Sequence, residues 1–180
     1  NAEVYDLVKK YYKPGYAIVD LGCGNALWNK DLLPVIGVDI NERFLDYTKS
    51  KGRISGKVVN PIDKTGLPDD YADIIIITEV LEHLPELGKH LTEIYRLLKP
   101  TGIVISSVPD DTDFSLWKPL FSLQCFYRGR ILGEQYYKEH CGHINHFSKK
   151  TIADVFIKNK FKIQEQKNHF YFTIFTIVKK

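Results

Sequence analysis

Asp20-Leu21-Gly22-Cys23-Gly24, at the end of an apolar run, carries the first chemical signal in this sequence. Two glycines at that point let the main chain approach a ligand closely. Asp39 closes a second apolar run, Val35 to Val38, where a carboxylate is placed to accept hydrogen bonds from ribose hydroxyls; the competing reading of Asp39 is a helix cap. A dinucleotide fingerprint needs a third glycine at position 27. Leu27 stands there, which disfavours a pyrophosphate site and a nicotinamide-dependent oxidoreductase.

A second group lies farther along. His140, His143 and His146, with Cys141 among them, are suited to taking a proton near pH 7. The same set invites a zinc reading, or the histidines pack and hydrogen-bond at a chain junction. The expectation is an acceptor-side role for His143 and His146, with no metal. Asp110, Asp111 and Asp113 either hold a cation or a positively charged acceptor or are solvated loop residues. Glu82-His83 reads as a helix feature of the fold rather than an acid–base pair.

The elements that must position these residues alternate. Val4, Leu7, Val8 and Tyr11 share a helical face, and Lys13-Pro14-Gly15 stops that helix before a strand from Tyr16 to Leu21. A short helical piece is expected up to Leu33, then a strand from Val35 to Val38, a helix capped by Asn41, and a strand from Lys57 to Val59. The β-branched run Asp73 to Ile77 has the pattern of a central parallel strand covered on both faces. Pro85 opens a helix bearing Leu87, Leu91, Ile94, Leu97 and Leu98, ended by Lys99-Pro100-Thr101-Gly102 before a strand from Ile103 to Val108. Residues 109–147 lose periodicity and collect Phe114, Trp117, Phe121, Phe126, Tyr127, Tyr136 and Tyr137, the composition of an inserted lid. Ser148 caps a further helix. Two closing strands, Lys160 to Gln166 and Phe170 to Val178, are joined by Lys167-Asn168-His169, short enough to make them antiparallel.

With 180 residues, 44% hydrophobic and 26% charged, the chain suits one domain with an ample core. The formal charge of +3 is small and dispersed, which disfavours a nucleic-acid partner. Three cysteines without CxxC spacing argue for a reducing, cytoplasmic setting. No apolar run has the length of a membrane span. The sequence contains no methionine, so its first residue is not read as a translation start.

In the order Val19-Asp20-Leu21-Gly22-Cys23-Gly24, Gly37-Val38-Asp39, Ala72-Asp73-Ile74-Ile75 running into Glu79-Val80-Leu81-Glu82-His83-Leu84, and Leu97-Leu98-Lys99-Pro100-Thr101-Gly102, the chain resembles the class I S-adenosylmethionine-dependent methyltransferases, in their broad small-molecule group. The resemblance implies an α/β, Rossmann-like, doubly wound seven-stranded sheet, mostly parallel with an antiparallel C-terminal strand and helices on both faces. It also implies a site. Gly22, Cys23 and Gly24 would line the methionine portion of S-adenosylmethionine, with Asp20 fixing the loop or the amino group. Asp39 would hold the ribose and Ile40 the adenine face; Ile62 and Asp63 would form the adenine edge; Thr78 and Glu79 would face the methionine end. Two residues depart from the pattern. Ala26 replaces a usual glycine, at a steric cost if the position needs a positive φ, and Pro61 replaces a frequent acidic residue. The expected activity is methyl transfer to a small-molecule or glycan- or lipid-linked acceptor, releasing S-adenosylhomocysteine. The rival is an inactive binding module of the same fold.

Overall fold

The structure, a computed structural model, describes residues 2–112, 115–138 and 142–180. Asp113, Phe114, His140 and Cys141, and the side chains of Trp117 and Tyr136, all singled out above, lie outside the described residues. The strands are β1 (Ile18–Leu21), β2 (Val35–Asp39), β3 (Gly56–Val59), β4 (Ala72–Thr78), β5 (Leu98–Pro109), β6 (Lys162–His169) and β7 (Thr173–Lys179). They form one sheet in the order β3-β2-β1-β4-β5-β7-β6. Neighbours from β3 to β5 pair in parallel, and β7 runs antiparallel to both β5 and β6. This is the expected doubly wound sheet. Its strand order reverses between β1 and β4, the point at which such sheets open a crevice beyond their carboxyl ends.

The helices are α1 (Ala2–Tyr11), α2 (Glu42–Ser50), α3 (Leu87–Leu97), α4 (Trp117–Cys125), α5 (Gln135–Lys138) and α6 (Lys149–Lys158). Alternate strand residues feed two cores, as the two-residue period of a strand requires. Val19, Leu21, Ile75, Ile77 and Val104 pack with Leu91, Ile94 and Leu97 of α3 and with Ile152 and Phe156 of α6. Ile18, Ile74, Ile76, Ile105 and Ile177 pack with Val4, Leu7 and Val8 of α1 and Leu45 of α2. Ile74, Ile75, Ile76 and Ile77 are fully buried, each worth about 1.5–3 kcal/mol by transfer from water. Among the described residues, no helix is long and apolar enough to cross a membrane.

Three local expectations are corrected. The piece before Leu33 is a chain of turns, not a helix. Ala26 (φ 41°) and Leu32 (φ 52°) are left-handed, and the buried Asn29 amide donates to the Leu33 and Arg53 carbonyls while its oxygen takes the Leu33 N–H. β5 begins at Leu98, which pairs with Ala72, and Lys99 to Gly102 bulge out before Ile103 rejoins opposite Ile74. The last hairpin turns later than expected. Phe170 (φ 50°) and Tyr171 (φ 57°) form its tip, closed by a Phe172 N–H to His169 carbonyl bond of 3.0 Å.

Candidate active site

Gly22 and Gly24 carry the chain away from β1 with φ of 69° and 45°, values that side chains resist. A Cβ on Gly22 would stand 2.6 Å from Val80 Cγ2, so only glycine lets Val80 close down there. The loop is held from behind. Val38 accepts from the Gly22 N–H, Thr48 Oγ1 donates to the Gly24 carbonyl at 2.7 Å, and Asp39 Oδ2 accepts from the Gly24 N–H at 3.3 Å. Asp39 Oδ1 accepts from the Asn41 N–H at 2.9 Å, while Asn41 itself caps α2 by accepting from Phe44. The cap reading therefore belongs to Asn41. Ala26 has the positive φ at which alanine pays a steric cost.

Asp20 is 2% exposed, and its Oδ2 accepts from the Trp28 indole nitrogen at 2.8 Å. Burial, aided by the Asp39 carboxylate, pushes the Asp20 carboxyl up to about 7 despite that bond. Burial also drives the Cys23 thiol upward. No spacing marks Trp28 as the partner of Asp20; its loop also carries Ala26, Leu27, Leu32 and Leu33.

Two cavities meet at Gly22. One, of about 150 Å³, is lined by Asp20, Gly22, Cys23, Asn25, Ala26, Leu27, Trp28 and Thr78. The other, of about 290 Å³, is lined by Gly22, Asp39, Ile40, Pro61, Ile62, Val80, Leu84 and His90. The structure thus gathers Asp20, Gly22, Cys23 and Thr78 on one side and Asp39, Ile40 and Ile62 on the other. Asp63 lies in the turn beside Ile62 but is not part of either lining. Val80 and Leu84 join the second cavity from the segment after β4, which sequence periodicity did not resolve, and His90 joins it from α3.

That segment is strained and clamped. Glu79 has φ 55°, held by its N–H to the Ser107 carbonyl at 3.0 Å and by the Ser107 hydroxyl donating to its carboxylate at 2.7 Å. Its carboxyl pKa is raised, chiefly through lost hydration. Glu82 and His83 sit in a 3₁₀ turn, Leu81–His83, not in a long helix. Glu82 is 1% exposed, its Oε2 has no partner among the described residues, and burial plus the Glu79 charge pushes its carboxyl up to about 8. Residues 142–147 lie against this turn. The Glu82 carbonyl accepts from the N–H groups of Ile144 and Asn145, and the Asn145 amide donates to the Leu81 and Leu84 carbonyls at 3.0 and 2.8 Å. Nothing in the spacing marks Asn145 as this clamp. It places the His143 ring edge-on to His83, with centroids 4.7 Å apart, and stacked on Phe121 at 5.1 Å. His146 Nδ1 lies 3.4 Å from Asp111 Oδ2, and Asp110 faces a separate cavity of about 690 Å³ near β6 and β7.

A family model described as a methyltransferase domain matches residues 19–106. A demethylmenaquinone methyltransferase of Lysinibacillus sphaericus is 26% identical over 138 residues, covering 71% of this chain and 59% of that protein. A malonyl-[acyl-carrier protein] O-methyltransferase of Yersinia pestis is 30% identical over 97 residues, covering 52% and 36%. The chain therefore spans less than two thirds of the length of these curated relatives. A crystal structure of a SAM-dependent methyltransferase from Methanosarcina mazei superposes with a TM-score of 0.70 at 18% identity, covering 97% of this chain and 96% of the other.

Proposed function

We propose, from the premise that this chain belongs with the class I S-adenosylmethionine-dependent methyltransferases in domain sequence and fold, that it methylates an O, N or C atom of a small-molecule or glycan- or lipid-linked acceptor. The observation that carries the reading is the pair of cavities meeting at Gly22, with Asp39 in the lining of the larger one. Their residues fit the cofactor. The larger, mostly apolar cavity suits an adenosine, with Asp39 accepting from the ribose, Ile40 and Ile62 against the base, and Asp63 near its edge. The smaller one, with Asp20, Cys23 and Thr78, suits an amino-acid tail, and Gly24 and Glu79 flank it. When bound, S-adenosylmethionine supplies an electrophilic sulfonium methyl group.

The chain's own task is then alignment and exclusion of water. Residues 109–147 serve as a lid in this reading, presenting Leu120, Leu123 and Tyr127 around an apolar hollow of about 440 Å³. That lining favours an acceptor with an apolar portion. Relatives named for demethylmenaquinone and for malonyl-[acyl-carrier protein] keep both small and carrier-linked acceptors in view. His143 and His146 serve the acceptor, His146 oriented by Asp111.

Calorimetric titration with S-adenosylmethionine, S-adenosylhomocysteine and NAD tests the reading. Binding of the first two alone supports it, and acceptor screening with a labelled methyl group then follows. Absence of binding to either would overturn it.

A further inference from the structure

We infer that Glu82, His83 and His143 form a site for a divalent transition-metal cation beside the cofactor crevice, where the ion takes an oxygen of the acceptor. The acceptor's part rests on the methyltransferase reading; the ion site itself does not.

One ligand atom from each of the three side chains falls within 4.8 Å of the others. Two ligands of one such ion, each about 2.0–2.2 Å from it, stand roughly 3–4 Å apart, so side-chain adjustment of about 1 Å closes the set. The Glu82 side chain is almost wholly buried, yet among the described residues its Oε2 has no hydrogen-bond partner. Buried carboxylate oxygens are rarely left so, and a cation satisfies this one. His83 Nδ1 lies 3.2 Å from the Gly142 carbonyl, a bond that places the proton on Nδ1 and leaves the Nε2 lone pair for an ion. That Nε2 is 3.8 Å from Glu82 Oε1. Asn145 holds the two chain segments together, which preorganises the set.

Two imidazoles and one carboxylate suit Mn²⁺, Fe²⁺, Co²⁺ or Zn²⁺ better than Mg²⁺ or Ca²⁺, which take oxygen ligands. Three protein ligands leave coordination positions open, as in catalytic rather than structural sites. Val80 and Leu84, on either side of the 3₁₀ turn, line the larger cavity, so the turn that carries Glu82 and His83 borders it. The acceptor class is one that offers a hydroxyl or a pair of neighbouring oxygens. Spacing pointed to His143 only in company with His140, His146 and Cys141, because adjacent Glu82-His83 has no metal-motif spacing of its own.

The full chain, freed of metal by chelator dialysis, is titrated with MnCl₂ and, for its visible absorption, CoCl₂. One saturable site is expected, weakened at least tenfold by Glu82→Gln and by His143→Ala and unchanged by His169→Ala, with circular dichroism reporting folding. Absence of saturable uptake, or equal affinity in folded Glu82→Gln, overturns the site. Should the variants not fold, Mn²⁺ must broaden the ring signals of His83 and His143 in the wild-type protein before those of His169; uniform broadening overturns it. S-adenosylhomocysteine titration of the same metal-free protein reports the cofactor separately, so loss of one reading is distinguishable from loss of the other.

Discussion

The indole nitrogen of Trp28 donates to the buried carboxylate of Asp20 across 2.8 Å, joining the end of β1 to the turns that follow it. Where a helix was expected, this bond and the Asn29 amide hold the loop in place.

Asp20 predicts a pH dependence. Its folded pKa of about 7 exceeds an unfolded value of about 3.9, so the folded chain keeps a proton that the unfolded chain releases. The associated stability is complete below about pH 4 and is lost as pH rises through about 7, to an extent on the order of 4 kcal/mol. Asp20→Asn should flatten the wild-type decline in urea midpoint between pH 5 and pH 8. Parallel curves for the two proteins would contradict this origin.

Gly22 and Val80 should behave as a coupled pair. Gly22→Ala places a methyl group into the Val80 side chain and strains a positive φ, and should weaken S-adenosylhomocysteine binding at least tenfold. Adding Val80→Ala removes the collision but not the strain, so part of the affinity should return. Strict additivity of the two changes in a double-mutant cycle would show that the contact does not govern binding.

Asp39→Ala should cost about 10- to 100-fold in cofactor affinity, the worth of hydrogen bonds to a charged acceptor. Asp39→Asn, which retains one acceptor oxygen, should fall between. Calorimetric titration reads both, and unchanged affinity would remove Asp39 from the ribose.

The hairpin tip offers a gain. Phe170 and Tyr171 are 73% and 60% exposed and both left-handed, the conformation for which Asn-Gly is suited. Phe170→Asn with Tyr171→Gly relieves about 1–2 kcal/mol of strain and loses up to about 1 kcal/mol to glycine's freedom in the unfolded chain. A net gain of about 1 kcal/mol raises Tm by about 2–4 °C in a scanning calorimeter. A fall in Tm would mean that the two rings contribute more than their exposure implies.

Much of this architecture was legible because period and punctuation agree. Ile74 to Ile77 announced a central strand, Asn41 and Ser148 announced helix starts, and both cap their helices here. What stayed hidden depends on tertiary bonds. Residues 25–33 have a plausible local helix pattern that Asn29 and Trp28 override. The Phe170-Tyr171 turn contradicts local propensity outright. In the site, Gly22, Asp39, Ile40 and Ile62 were visible from motif order, whereas Val80, Leu84, His90 and Asn145 are recruited by how one segment folds over another.

β7 is the last strand in sequence yet lies inside the sheet, between β5 and β6. During synthesis β5 must therefore wait, its edge unpaired, until residues 173–179 leave the ribosome. Val104, Ile105 and Val108, fully buried in the finished sheet, lack their covering strand for that interval. An unsatisfied edge of this kind invites pairing with another chain. Truncation within β7 should consequently yield aggregates rather than a smaller soluble domain.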